Sequence, residues 1–399
     1  MNRQDATGRE QRPYDIVLFG ATGFVGELTA QYLAAHAPEG CRWAIAGRSR
    51  QKLERLRERL AENHPGCAAL PLIEAQADDE QALRELAESA RLVATTVGPY
   101  LWYGEPLVAA CAEAGTDYID LTGEPEFVDL MYVRHDARAR ETGARLVHCC
   151  GFDSVPHDLG AYYTVQQLPQ DVPLNVDGFV RSNAAFSGGT FASALNAMGR
   201  GRQMAKAAHQ RRLHEPRLMG RRARSPLGTP RFSRETQAWA LPLPVIDGQI
   251  IARSARALAR YGPDFRYRHY AAVKTLPMAA GGVAAVGALV GLAQLSAARR
   301  WLSERVKPGE GPDEKRRAKS WFSVRFVGEG GGRTVYTEVS GGDPGYDETA
   351  KIFAESALCL VFDTLPDTSG QVTTAVAMGD ALLGRLQAAG IRFRVAAAR

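Results

Sequence analysis

Between residues 14 and 150 the chain alternates short apolar runs with amphipathic stretches, and this rhythm restricts its fold more than any other feature. Apolar runs at 16–19, 43–46, 70–73, 92–97, 118–121 and 145–150 have strand length. The segments between them, at 23–36, 51–63, 79–89, 106–114 and 126–142, carry helical spacing. Strands joined by helices of this length form βαβ units, hence a parallel sheet whose ligands bind at the carboxyl ends of the strands. The expected fold class is α/β, with an N-terminal Rossmann-type doubly wound sheet. After residue 160 the rhythm changes. Candidate strands at 174–181, 239–246, 265–273, 321–327 and 334–339 are in several cases alternating, which suits an antiparallel sheet with one covered face. Helices are expected at 190–208, 349–362 and 375–389, with a short strand at 391–395. The domain reading is a disordered polar tail (1–13), a nucleotide-binding domain (14–160), a second α/β (α+β) domain for substrate and dimerisation (161–345), and C-terminal helices returning to the first domain (346–399).

Gly20, Ala21, Thr22, Gly23, Phe24, Val25 and Gly26 lie between the first strand and the first helix. In that position Gly20 permits a tight turn, Gly23 lets backbone approach a pyrophosphate, and Gly26 allows close helix–strand packing. The helix N-terminus then offers free N–H groups and partial positive charge to phosphate. At the end of the second strand an NAD-binding chain places an acid, whereas here Ala46-Gly47-Arg48-Ser49 holds none. Arg48, assisted by Ser49, suits an adenosine 2′-phosphate, so NADP(H) is the expected cofactor. Thr96, Val97, Gly98 and Pro99 close the fourth strand where a nicotinamide ribose lies in such folds, and the aromatic residues Tyr100, Trp102 and Tyr103 follow.

Composition narrows the remaining classes. A net charge of +5 over 399 residues does not argue for nucleic acid, and aromatic residues are sparse in the basic stretch 200–234. That stretch holds eleven Lys/Arg and one acid, Glu215, which makes it a candidate for anionic lipid or for a solvated face. Residues 275–298 carry no formal charge and include Gly287 and Gly291 at G-x-x-x-G spacing, consistent with a lipid-contacting helix, a buried hairpin or a homodimer helix. The six scattered cysteines show no C-x-x-C, so neither a disulfide framework nor a zinc site is expected. Likewise, no metal-ligand spacing is read around His148. The polar first 13 residues lack the apolar core of a secretory signal, and the expected location is cytoplasmic, peripheral at the inner face of the plasma membrane.

The ordered set of Gly20 to Gly26, the 46–49 turn, Val97-Gly98-Pro99-Tyr100, Gly104-Glu105-Pro106-Leu107-Val108, Tyr118-Ile119-Asp120-Leu121-Thr122-Gly123-Glu124 and Gly151-Phe152-Asp153-Ser154-Val155-Pro156 resembles the saccharopine dehydrogenase-like oxidoreductases, most nearly their trans-acting enoyl reductase branch. The late segment Ala377-Met378-Gly379-Asp380-Ala381-Leu382-Leu383 extends the resemblance across nearly the whole chain. It implies a Rossmann domain with a second α/β domain, a reduced nicotinamide, and a lipid- or polyketide-type enoyl thioester as substrate, in the service of glycolipid assembly. Such a reaction needs a hydrogen-bond donor to the carbonyl and a proton, and Tyr100, Tyr103 and His157 are the catalytic candidates. Asp153 and Ser154 serve either that chemistry or the capping of a helix that begins at Val155-Pro156. The alternatives are a saccharopine-type dehydrogenase acting on a C–N bond, with Arg181 and the 200–234 stretch receiving carboxylates, and a non-catalytic NADP-binding protein at a lipid surface.

Overall fold

The computed structural model describes residues 11–184, 199–282, 284 and 312–397. The first half forms six strands: β1 (Tyr14–Phe19), β2 (Trp43–Gly47), β3 (Leu72–Glu74), β4 (Ala90–Thr95), β5 (Asp117–Asp120) and β6 (Arg145–Val147). Helices α1 (Phe24–His36), α2 (Arg50–Asn63), α3 (Glu80–Ser89), α4 (Tyr100–Tyr103), α5 (Glu105–Ala114) and α6 (Pro125–Thr142) connect them. Helix α7 (Val155–Gln166) follows. Ile16, Val17 and Leu18 are fully enclosed, as a central parallel strand covered on both faces requires.

The second half contributes β7 (Leu174–Ser182), α8 (Gly201–His214), β8 (Arg222–Arg224), β9 (Arg231–Ser233), β10 (Ala238–Pro242), α9 (Asp247–Ala257) and β11 (Asp264–Val273). It continues with α10 (Glu314–Arg317), β12 (Phe322–Gly330), β13 (Arg333–Gly341), α11 (Asp347–Phe362), β14 (Gly370–Val372), α12 (Thr374–Ala377), α13 (Gly379–Ala388) and β15 (Arg392–Ala396). The first sheet has the order β14-β6-β5-β4-β1-β2-β3, all parallel, and the chain reverses direction across the sheet between β1 and β4. The second has the order β15-β13-β12-β7-β11-β10-β9, with β8 beside β11.

Several expectations are corrected. The second sheet is mixed, because β11 pairs parallel with both β7 and β8; alternation reports which face is covered, not strand direction. The last segment is more than returning helices. Helix α11 packs on α1, β14 extends the first sheet, and β15 closes one edge of the second. The strand expected at 239–246 ends at Pro242, and the helix expected at 375–389 breaks at Gly379, where φ is +43°. Of the expected helix 190–208, residues up to 198 lie outside the described ones, and from Gly201 it runs on to His214. Residues 1–10 of the expected tail also lie outside them. Arg12, by contrast, is held in place, donating to the carbonyls of Ala90 and Ala114 and to Thr116. The two layers meet at α7, where a Cβ at Gly160 would stand 2.4 Å from the Phe326 ring. Glycine there lets the helix lie directly on β12.

Candidate functional site

The crevice between β1 and β4 is built by glycine geometry. Gly20 sits at φ +85°, and a Cβ there would come within 2.7 Å of Thr96 Oγ1. A Cβ at Gly26 would stand 2.2 Å from the Gly20 carbonyl, so α1 can approach the turn only with glycine at that position. Gly23 is the exposed N-cap of α1 and supplies no side-chain cap, which leaves the helix start open to an anion. Thr96 clasps the turn, its amide donating to Phe19 O at 2.9 Å and its hydroxyl to Gly20 O at 3.0 Å. Phe24 turns its ring to Tyr346 and Arg317, so this position joins the two layers. Thr22 is half-buried and reaches towards Gly47, and Val25 O receives the Thr29 hydroxyl inside α1.

Arg48 is exposed just beyond β2, with no ion pair among the described residues. Ser49 caps α2 by accepting from Lys52 N, and Arg50 is engaged with Glu54. Across the crevice, Val97 N donates to Thr95 Oγ1, and half-buried Pro99 precedes α4. Buried Glu124 accepts from the amides of Tyr100 and Leu101 at 3.1 and 3.0 Å, which fixes the turn after Gly98. The Tyr100 hydroxyl is committed to backbone, donating to Thr95 O and accepting from Leu121 N. Tyr103 is 49% exposed at the rim, beside Trp102, over which Arg200 stacks.

Below the crevice lies a buried polar layer. Asp120 accepts from the Tyr118 hydroxyl and pairs with His148 at 2.6 Å. Further towards the second sheet, His157, Asp247 and His269 converge, with His157 Nε2 at 3.9 Å and His269 Nε2 at 3.5 Å from the Asp247 carboxylate. Burial pulls the His157 imidazole down to about 3 and that of His269 to about 4, the latter against the opposing pull of Asp247. Burial, with the neighbouring Asp247 charge second, lifts Asp153 to about 7, and burial also raises Asp247. Ser154 is the N-cap residue of α7 without a side-chain cap bond. Sequence reasoning singled out His157 but missed Asp247 and His269, and it read no metal-ligand grouping where folding brings these three together. No local pattern announces them, because they come from α7, α9 and β11.

Part of the basic stretch is engaged by the fold, while Arg202, Lys206, Arg212, Arg217, Arg222 and Arg234 remain exposed. Arg200 pairs with Glu126, Arg211 with Asp129, Arg224 with Asp264 and Arg231 with Asp177, while Arg221 donates to the carbonyls of Ala255 and Leu258. These partners lie far off in sequence, so folding neutralises four of the eleven positive charges, and an exposed basic remainder persists. Arg181 is half-buried at the end of β7. Among the described residues no helix is long and apolar enough to cross a membrane; most of the 275–298 run, including Gly287 and Gly291, lies outside them.

Residues 16–147 match the family described as the saccharopine dehydrogenase NADP binding domain. The chain is 38% identical to the trans-acting enoyl reductase of Mycobacterium bovis (strain BCG / Pasteur 1173P2), over 96% of this chain and 97% of that one. It is 36% identical to the trans-acting enoyl reductase of Mycobacterium ulcerans over the same shares. The solved apo saccharopine dehydrogenase (L-Glu forming) of Saccharomyces cerevisiae shares the fold at a TM-score of 0.56 and 11% identity, covering 96% of this chain and 100% of that one. The open N-terminus of α1 and the cradle that only glycine can occupy fit a dinucleotide pyrophosphate. The chain therefore belongs to the trans-acting enoyl reductase family of saccharopine dehydrogenase-like proteins, and it is an NADP(H)-dependent oxidoreductase.

Proposed function

We propose that this oxidoreductase reduces the carbon–carbon double bond of an enoyl thioester of lipid or polyketide type, presented by a separate carrier. One observation carries the reading: the glycine turn, Arg48 and the 96–99 turn share one crevice at the carboxyl ends of β1, β2 and β4, in a chain whose near full-length relatives are named trans-acting enoyl reductases. NADPH, when bound, supplies the hydride that adds to Cβ. The amides opening α1 hold the pyrophosphate, Arg48 and Ser49 receive the adenosine 2′-phosphate, and Thr96, Val97, Gly98 and Pro99 border the nicotinamide end. As hydride arrives at Cβ, the electron pair of the double bond moves towards the thioester oxygen, and a proton must finally reach Cα.

Of the three candidates for assisting that charge shift, Tyr100 has its hydroxyl bound to backbone and His157 is only 1% exposed. Tyr103 is half-exposed in α4, directly after the 96–99 turn, and we assign its hydroxyl the hydrogen bond to the developing enolate oxygen. Removing one such donor costs about 100-fold in kcat. Tyr103→Phe is therefore expected to lower kcat by about 100-fold with unchanged NADPH affinity. A kcat within twofold of wild type would remove Tyr103 from the mechanism.

The activity itself is tested by NADPH consumption with trans-2-enoyl thioesters graded in chain length, with keto acids plus amino acids as the competing panel. Turnover confined to the second panel, or none with any enoyl chain, refutes the reading. Cofactor choice has its own test. Arg48→Ser should weaken NADPH binding by about 10- to 100-fold, since a charge-assisted hydrogen bond contributes about 1.5–3 kcal/mol. NADH affinity, measured by the same fluorescence titration, should stay within a factor of about two.

A further inference from the structure

The grouping of His157, Asp247 and His269 differs from other buried polar pairs in this protein. His148 meets Asp120 at 2.6 Å, and Tyr267 meets His269 Nδ1 at 2.7 Å, both ordinary hydrogen-bond lengths. The two imidazoles stand off the Asp247 carboxylate at 3.9 and 3.5 Å, too far for good hydrogen bonds. Donor atoms around one ion are separated by such distances: with zinc–nitrogen bonds of about 2.0–2.1 Å, tetrahedral ligands stand about 3.3 Å apart. One ligand atom from each residue falls within 4.8 Å of the others, and all three side chains are buried.

Two further observations point the same way. Among the described residues Asp247 Oδ1 is enclosed without a hydrogen bond of good geometry, although the Ser154 hydroxyl is near enough to favour its charged form. Asp247 also lies close enough to half-buried Asp153 for its charge to be felt there, and neither carboxylate has a Lys or Arg ion pair among the described residues. An enclosed carboxylate such as Asp247, beside a second acid and without a Lys or Arg, is an arrangement that proteins avoid unless a metal or a proton compensates. The Tyr267 hydroxyl bonded to His269 Nδ1 orients the ring with Nε2 towards Asp247, as outer partners of metal-ligating histidines do.

We propose that His157, Asp247 and His269 bind one divalent transition-metal ion of the zinc class. The site ties the first turn of α7 and the first residue of α9 to the middle of β11, joining the end of the nucleotide-binding layer to the second sheet. It stands independently of the proposed reduction, since its ligands are not the residues assigned to hydride or proton transfer.

The test is metal binding by the full-length chain, stripped with a chelator and dialysed, then titrated with Zn(II) and separately with Co(II). One equivalent should bind, Co(II) should give the intense visible bands of a four-coordinate site, and the thermal midpoint should rise. His269→Ala and His157→Asn should each abolish the Co(II) bands while retaining the circular dichroism of the metal-free chain. X-ray absorption on Zn-loaded wild type should show two imidazole ligands, a reading that holds even where a variant fails to fold. Absence of a stoichiometric site, fewer than two imidazole ligands, or binding that survives both folded substitutions would overturn the proposal.

Discussion

Replacing Gly23 with aspartate is expected to weaken NADPH binding by about 100-fold while leaving the fold intact or slightly stabilised. Gly23 is exposed and adopts φ −80° and ψ 164°, a conformation open to any L-residue. An added Cβ would meet only the Gly20 carbonyl at 3.4 Å, a contact that a small shift relieves. Aspartate is among the preferred N-cap residues, worth only a few tenths of a kcal/mol over glycine, so the helix tolerates it well. Its carboxylate, however, would occupy the amides and the positive end of α1 that a pyrophosphate requires. Like charges about 4 Å apart repel by about 4 kcal/mol at the effective dielectric of a protein surface. Solvent exposure reduces this, and about 3 kcal/mol corresponds to the 100-fold expected. Gly23→Asn separates the causes, since it caps without charge and should lose far less affinity. Isothermal titration beside thermal melting reads both quantities. An aspartate variant binding NADPH within threefold of wild type would place the pyrophosphate elsewhere. Gly26 offers no such separation, because a Cβ 2.2 Å from the Gly20 carbonyl disrupts the turn itself.

The parts of the fold legible in the sequence are those set by local pattern. The strands β1, β2, β4, β5 and β6 and the helices between them follow from apolar periodicity and from glycine at the strand–helix turn. What periodicity cannot convey is strand direction and partner choice. The parallel pairing of β7 with β11 depends on a long intervening segment rather than on either strand's residues. The same limit applies to the site. The aromatic cluster at Tyr100–Tyr103 was visible, but that Tyr100 spends its hydroxyl on Thr95 and Leu121 depends on where the loop after β5 arrives. Charge in the 200–234 stretch was visible too, while the pairing of four of its arginines required Glu126, Asp129, Asp177 and Asp264 to be carried to it. Asp247 and His269 reach His157 only through the assembled topology.

The second large effect is expected at Asp158, where the layers are stitched together below the crevice. Its Oδ1 accepts from Ser254 at 2.6 Å, and its Oδ2 accepts from Thr374 Oγ1 at 2.8 Å and Ala375 N at 2.9 Å, which ties α7 to α9 and α12. In Asp158→Ala the Ser254 hydroxyl keeps Thr373, but the Thr374 hydroxyl and the Ala375 amide are left enclosed without this partner. Each such group costs about 1–3 kcal/mol, so a loss of about 3–4 kcal/mol is expected under mildly acidic conditions by urea denaturation. The effect depends on pH with a definite sign. Burial lifts the Asp158 carboxyl to about 6 despite the three opposing hydrogen bonds, against about 3.9 in the unfolded chain. The folded state therefore holds its proton more tightly, and the stability gained from this residue is full below pH ~4 and declines as pH rises through about 6. The difference between wild type and Asp158→Ala should accordingly be largest near pH ~4 and clearly smaller at pH 8. Asp158→Asn keeps an acceptor for Thr374 and Ala375 and offers an amide donor to Ser254, whose hydroxyl can turn to accept. This variant should retain most of the acid-side stability and lose the dependence on pH between ~4 and ~7 that the carboxyl imposes. An Asp158→Ala defect that is constant across that range would show that Asp158 is already ionised throughout, with its three hydrogen bonds outweighing burial.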